Sequence, residues 1–526
     1  MAKEDNAKSE PLPGIDGREF DVIIIGGGIS GASSAQHLKA AGFDVLLVEK
    51  NDFASAATSR SSRLLHNGLR YLAPPKSLRE FAKKPTSFLA GIDTARKAAM
   101  VGDELLRNLP NRVRQTRLLL PISRSSAFRA WQIDLGARIL KLISRRKTPL
   151  NYVKTPHTSA RQLPFVSWLR EGNQLESVVG IDDHQFHWPE RICIDCIMDA
   201  ERMGAVVLNF TEARSIFRKD NLWHVNIVGK NDTSATVSSK VLLNFTGVWI
   251  DRTNAMPSAS KAPKRQIVGV KGVSIAVQLP ESYEGVGIAG LNSEGDAIMC
   301  VPWGRLHYIG PTETVYEGDI EDVKPEKEDI EELIHEINLF MPGFSMDQSK
   351  ILHAWAGVRP ITYDRGRAKG RRMPFSIIHD LGSEGHPNML TVTWNAIMFH
   401  QSTARRIVKE VRKRIRPSGP SQPLSYEQKP DQKDPSQPFL DDWEKVTRAD
   451  IIRSAEKEYA RDLVGILYRR TGLGWYVRIS DAKVREAAEL VAPTLGWEAS
   501  DIDREVEAFH SYVHKYHMIN GINWSA

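Results

Sequence analysis

A chain of 526 residues, 41% hydrophobic and 26% charged, has room for roughly two to four domains and the balance of a globular protein, which excludes wholesale disorder. Lysine and arginine outnumber aspartate and glutamate by 71 to 64, a formal charge of +7. So small an excess suits an anionic substrate, cofactor or membrane surface and gives no ground for a nucleic-acid partner. Only three cysteines occur, which argues against a disulfide-built secreted fold and for a reducing compartment.

The opening stretch 1–17 is polar and has no apolar core of the secretory kind, so it reads as a disordered tail on a cytoplasmic protein. No apolar run approaches the ~20 residues of a membrane-spanning helix. Order is expected from Phe20. Asp21–Ile25 (DVIII) is the pattern of a strand buried on both faces. A glycine cluster, a helix over Ser30–Ala41 and a second strand, Asp44–Glu49, complete a β-α-β unit. The spacing then predicts helices over Gly91–Arg107, Arg124–Lys147 and Arg191–Glu201, the last carrying Cys193 and Cys196 as core thiols. Strands are predicted over Trp223–Ile227 and Lys240–Asn244, and an antiparallel sheet from Lys264–Leu279 and Ala297–Gly310. Arg416–Pro438, rich in Pro, Ser and Gln, reads as a linker (416–439), and 440–526 as a separate helical domain.

The sharpest motif is Gly26-Gly27-Gly28-Ile29-Ser30-Gly31, a G-x-G-x-x-G at Gly26, Gly28 and Gly31 that follows a strand and opens a helix. The first glycine permits the turn, the second lets backbone approach a pyrophosphate, and the third allows close helix–strand packing. Glu49 ends the next strand, where a carboxylate accepts ribose hydroxyls, and Lys50 follows it. Ile29 and Ser30 fall at the helix N-terminus, whose N–H groups favour phosphate. Ser61 and Ser62 lie in a Ser/Arg-rich passage, Asn51–Tyr71, that departs from the alternating helix and strand of a nicotinamide fold. Thr246-Gly247, closing the strand at Val241, supplies a second nucleotide signal, with Ala213 assigned to the same site. The dinucleotide domain is therefore expected to be discontinuous, and the cofactor to be FAD.

Together, GGGISGA, SSRLLHNGLRYL (Ser61–Leu72), NFTGVW, PWGRLHYIGPTE (Pro302–Glu313), AGVRPI (Ala356–Ile361) and EYARDLVGILYRRT (Glu458–Thr471) resemble the FAD-dependent glycerol-3-phosphate dehydrogenase family, as a divergent member. The resemblance implies an α/β fold: a two-part FAD-binding Rossmann-like domain with an antiparallel substrate-side sheet, plus a C-terminal α-helical domain. It divides 18–415 into FAD-binding parts at about 18–90, 195–260 and 356–415, and substrate-side parts at about 91–194 and 261–355. It implies oxidation of the secondary alcohol of a phosphorylated polyol, glycerol 3-phosphate or a longer one such as erythritol phosphate, by hydride transfer to the flavin. Arg70 and Arg359 match family arginines at the substrate pocket, where a guanidinium grips phosphate in two-point fashion. His66 is the first candidate for proton transfer, with Tyr71 beside it, and Arg371 and Arg372 are further phosphate ligands.

Three departures stand out. Asn67 replaces the first glycine of the family's H-G-G-L-R-Y. Lys271-Gly272-Val273-Ser274 replaces K-G-S-H. Trp394-Asn395-Ala396 replaces the G-G-K of G-G-K-L-T-T-Y-R, and His400, a few residues on, is the candidate to take over an acid–base or substrate contact. Two other readings therefore stay open: a flavoenzyme acting on a hydroxy acid or amine, and a flavin-binding protein without this catalysis. No metal site is expected. The basic amphipathic stretch Arg124–Lys147 either lies on the inner face of an anionic membrane, passing electrons to a quinone, or simply covers the core with a solvated face. A homodimer is the remaining partner expectation.

Overall fold

The strand Glu19–Ile25 buries every residue but its first, which requires neighbours on both edges and cover on both faces. It has them. Val45–Val48 and Ser234–Asn244 pair with it in parallel. The first sheet runs Ile377–Asp380, Met389–Thr393, Ser234–Asn244, Glu19–Ile25, Val45–Val48, Val206–Leu208, and the hairpin Glu212–Lys219/Leu222–Val228 extends the Ser234–Asn244 strand. The computed structural model describes residues 14–65, 85–124, 126, 129–144, 150–170, 174–257, 263–293, 295, 297–370, 376–427, 438–440 and 443–517. The helices Ile29–Ala40, Pro189–Arg202 and His400–Arg412 pack together on one face of this sheet. Three distant stretches of chain thus build the parallel part of one mixed sheet, the discontinuity anticipated from Thr246-Gly247.

The second sheet has nine strands, among them Val113–Ser123, Leu175–Phe186, Ile267–Val277, Ala297–Trp303, Leu306–Gly310 and Ile351–Thr362. Its pairings are antiparallel except for Val286–Leu291 against Val113–Ser123. Ile351–Thr362 pairs with Ile267–Val277 along its whole length, so the domain boundary expected at 356 falls inside one strand of the substrate-side sheet. The fold is the two-part α/β architecture read from the sequence, with an antiparallel second sheet and a C-terminal helical region made of Arg448–Glu456, Asp481–Leu495 and Ala499–Tyr516.

The stretch expected as a linker is pinned over its described part. Gly419 and Gln422 donate backbone N–H groups to the carbonyls of Gly42 and Ala40 at 2.8 Å each, and Glu427 accepts both amides of Asn111. Few apolar residues does not mean free chain when the backbone itself is paired. At the N-terminus, Ile15 is buried and Gly17 N–H donates to Thr236 O; residues 1–13 lie outside the described residues.

The C-terminal helices are stitched to both sheets. A π-helical turn, Gly465–Arg470, brings Arg469 and Arg470 together on Asp52, which accepts from Arg469 Nε at 2.6 Å and from Arg470 Nη2 at 2.8 Å. Burial pushes the Asp52 carboxyl up, but the two guanidiniums overcome it and hold it down to about 2. On the second sheet, Trp303, Tyr308 and Trp355 pack against Trp475. Arg63 is fully buried among them with Glu190 (3.2 Å), and its guanidinium lies 4.6 Å from the Trp303 ring and 4.8 Å from the Trp475 ring.

Candidate functional site

A cavity of about 540 Å³ opens at the carboxyl ends of the parallel strands, where ligands bind in open α/β sheets. Each motif glycine has a separate steric reason. Gly26 holds φ +110°, and a Cβ there would lie 2.6 Å from Phe245 O. A Cβ on Gly31 would collide with the Gly26 carbonyl, so the helix approaches the strand only because residue 31 has no side chain. Gly28 begins the helix Ile29–Ala40 as its extended N-cap without a side-chain cap and faces the cavity with Ser30. Thr58 Oγ1 accepts from Ile29 N–H at 3.1 Å, tying the Ser/Arg passage to the helix start.

Glu49 lines the cavity and braces the loop. Its Oε2 accepts Gly27 N–H at 2.7 Å and its Oε1 accepts Asn51 N–H at 2.9 Å. Burial raises its carboxyl, partly offset by those amides. Lys50 crosses the cavity mouth to Glu321 at 2.6 Å and lies 4.3 Å from the Trp249 ring centre. Ala213, Thr246 and Gly247 also line the cavity. Gly247 sits at φ +63° with open space where a Cβ would go. Of the sequence-assigned cofactor residues, Gly26, Gly28, Ile29, Ser30, Glu49, Lys50, Ala213, Thr246 and Gly247 come together on this one cavity, and Gly31 packs just behind it.

Ser61 and Ser62 are not among the lining residues. Ser61 Oγ accepts from Arg63 N–H, a contact local to the loop, and the Ser62 carbonyl accepts from the Tyr308 hydroxyl of the second sheet; Thr58 and Arg60 line the cavity instead. Sequence reading also missed Asn395, Tyr512 and Tyr516 on the wall. The two tyrosines, four apart on the final helix, could have been flagged as one aromatic face, but nothing local connects that face to a strand more than 450 residues earlier.

Arg359 lies on Ile351–Thr362, beside the lining residues Val358 and Pro360. Gly272 and Gly357 are cross-strand partners. A Cβ on Gly272 would collide with the Arg359 guanidinium, and one on Gly357 would meet Arg60 Cβ at 2.8 Å. Both glycines are therefore closely covered, Gly272 by the Arg359 guanidinium and Gly357 by Arg60. Arg359 is a quarter exposed, with Glu313 at 3.8 Å. Ser274, where the family has histidine, is buried opposite Trp355. His400 does not line the cavity: it is buried, its Nδ1 bonds the Ile397 carbonyl at 2.6 Å, and burial brings it down to about 4. His66, Arg70, Tyr71, Arg371 and Arg372 lie outside the described residues. Cys193 and Cys196 are buried thiols pushed up by burial, and Cys193 Sγ donates to Gly27 O.

The residues present fit a flavin dinucleotide: a glycine-cradled helix start for the pyrophosphate, a ribose-side carboxylate, and a cavity that continues to Gly357, Val358 and Pro360 of the second sheet. The family of FAD dependent oxidoreductases matches residues 21–393. The chain is similar to glycerol-3-phosphate dehydrogenase of Synechocystis sp., 24% identical with 95% of this chain and 98% of the relative covered. It is also similar to aerobic glycerol-3-phosphate dehydrogenase of Staphylococcus saprophyticus, 28% identical with 76% and 68% covered. Among solved structures, glycerol-3-phosphate dehydrogenase from Bacillus halodurans complexed with FAD shares the fold (TM-score 0.69, 18% identity, 95% of this chain and 96% of that one). L-alpha-glycerophosphate oxidase from Mycoplasma pneumoniae with FAD bound matches with TM-score 0.55 at 16% identity, over 78% and 98%.

Proposed function

The chain belongs to the FAD-dependent oxidoreductase family, and from that premise we propose that it oxidises the secondary alcohol of glycerol 3-phosphate or a similar polyol phosphate. The observation that carries the proposal is the Arg359 guanidinium, lying over Gly272 on the strand whose Gly357, Val358 and Pro360 line the cofactor cavity. A guanidinium next to the cofactor cavity suits a small anionic substrate. The glycerol-3-phosphate dehydrogenases and the glycerophosphate oxidase among its relatives support the same substrate class.

FAD, when bound, accepts the hydride from the alcohol carbon. Gly26, Gly28 and Ser30 hold the pyrophosphate end, and Glu49 accepts the ribose hydroxyls. Arg359 clamps the phosphate of the substrate and so fixes the carbinol carbon against the flavin side of the cavity. Ala396 and Ser274 carry no ionisable group, and His400 is buried away from the cavity. By the family resemblance, His66 is the residue proposed to take the hydroxyl proton, with Arg70, Tyr71 and Arg372 as substrate ligands.

Anaerobic titration of the flavin-loaded protein tests this. Glycerol 3-phosphate or erythritol phosphate should bleach the flavin. Bleaching only by glycine or a 2-hydroxy acid would replace the substrate class, and bleaching by none of them would remove the catalysis.

We also propose peripheral attachment at an anionic membrane surface, with a quinone as electron acceptor. No helix among the described residues is long and apolar enough to cross a membrane. Yet the helix Ala130–Ser144 exposes Trp131 (58%), Leu135 (48%) and Leu142 (82%), with Leu89 and Met100 exposed on the neighbouring helix Pro85–Asn108. Arg138 and Lys141 lie within that apolar stripe. Apolar side chains beside cations are what an interfacial helix inserts. Co-sedimentation with anionic vesicles should be lost in Trp131→Ser/Leu142→Ser. Unchanged partitioning would reject the surface, and a shift in oligomeric state would assign it to a second copy of the chain.

A further inference from the structure

Asn395, standing where the family motif has glycine, connects the phosphate loop to the Arg406 guanidinium. Its Nδ2 donates to Ser30 Oγ at 2.8 Å. Its Oδ1 accepts from Thr403 Oγ1 at 2.9 Å. Thr403 Oγ1 lies 2.7 Å from Ser376 Oγ, and Arg406 Nη1 donates to Ser376 Oγ at 3.2 Å and to the Ser376 carbonyl at 2.8 Å. Thr403 and Ser376 are 1% and 2% exposed, so water does not compete for these groups. Arginine only donates. Each hydroxyl that accepts from one side passes its own proton to the other, and the satisfied arrangement runs Arg406 to Ser376 to Thr403 to Asn395 to Ser30. Ser30, a lining residue of the cavity, then accepts from Asn395 and has its O–H left to donate.

We propose that this chain is a polarised hydrogen-bond relay that sets the Ser30 hydroxyl as a donor to the diphosphate of the bound dinucleotide, with Asn395 and Thr403 as positioning residues. The backbone is arranged to build it. Trp394 sits in the left-handed region at φ +49°, an unusual conformation for a bulky residue. It is held by its N–H to Pro360 O at 3.1 Å and by packing against Val268, Val270 and Ile361. That turn swings residue 395 towards the loop at Ser30. The inference rests on FAD occupying the cavity, and it explains how a glycine-to-asparagine departure keeps, rather than loses, the anion end of the site.

The test is FAD affinity of the apoprotein, read by quenching of flavin fluorescence, with riboflavin as the probe lacking a diphosphate. Ser30→Ala should weaken FAD about 10-fold and leave riboflavin unchanged. Thr403→Val, which touches no part of the cavity, should weaken FAD about 5-fold, and Thr403→Ser should restore it. The double variant Ser30→Ala/Thr403→Val should bind FAD no more weakly than Ser30→Ala alone, because the relay has no other target. Wild-type affinity in Ser30→Ala, or losses that multiply in the double variant, would overturn the relay. Failure of the wild-type apoprotein to take up FAD at all would instead remove the cofactor reading beneath it.

Discussion

Glu49 is the residue on which the two halves of the nucleotide unit meet. Both its oxygens receive backbone N–H groups, so Glu49→Gln points an amide N–H at one of them and loosens the loop at Gly27. FAD affinity should fall roughly 10-fold, a change that equilibrium titration of the apoprotein reads directly. Arg359 is the residue proposed for the substrate end. Arg359→Met keeps most of the side-chain volume over Gly272 but removes the charge. KM for a phosphorylated substrate should rise roughly 100-fold while the response to unphosphorylated glycerol barely moves. An equal loss for both would mean that the arginine supports the sheet and does not hold phosphate. The residues that could be read from sequence were those whose role is local: Gly26, Gly28 and Gly31 serve a turn and one helix, and Glu49 lies on the next strand. Thr58 and Asn395 escaped because their partners, Ile29 and Ser30, are 29 and 365 positions away.

Among the larger elements, the docking of the C-terminal helices on the second sheet is sensitive to acid. His517 is buried, and His353 half-buried, in the aromatic cluster with Trp355, Trp475 and Tyr468. Burial, helped by Arg63, brings His353 from 6.5 down to about 4, and His517 goes the same way. Above pH 6.5 the ring is neutral folded or unfolded and adds no pH dependence. Between 6.5 and about 4 the unfolded chain takes a proton that the folded one refuses, so stability falls through that window by on the order of 3 kcal/mol for His353 alone. Asp52 works in the same sense over a lower window: the unfolded carboxyl protonates near 3.8 while the folded one stays charged down to about 2, so its ion pairs with Arg469 and Arg470 are lost only below the His353 range. Urea midpoints measured from pH 7.5 to 4.5 should therefore drop in the wild type and drop less in His353→Gln. An identical slope would place the acid sensitivity elsewhere. The helical character of this region was legible in its pattern, but its attachment was not. The buried pairs Asp52–Arg470 and Arg63–Glu190 join residues 418 and 127 positions apart, and no periodicity encodes such a pairing.

Across the whole molecule, the cofactor cavity is walled by chain from every region: the first β-α-β unit, the return strand, the second sheet's loops and the last helix. Two clusters fasten that wall. Glu321 receives Lys50 Nζ at 2.6 Å and Trp249 Nε1 at 2.6 Å, with Arg252 at 3.6 Å. Next to it, Asp322 receives Lys515 Nζ at 2.9 Å, and Arg60 donates to Val323 O at 2.8 Å while lying 5.1 Å from the Tyr516 ring centre. A segment of the substrate-side region is thereby fastened to the nucleotide strand on one side and to the final helix on the other, across the cavity mouth. Lys50 and Glu321 are partly exposed, so their pair is screened and each contact is weak. The effect belongs on the release of FAD, because opening the mouth breaks all of these contacts together while the buried glycine loop stays formed. Glu321→Gln should raise the rate of FAD loss about 3-fold, measured as recovery of flavin fluorescence after dilution. The wild-type rate should climb with added salt towards that of the variant. Equal rates at low salt, or a variant that remains as salt-sensitive as the wild type, would show that the cofactor leaves by another route and that the Glu321 cluster only holds surface loops together.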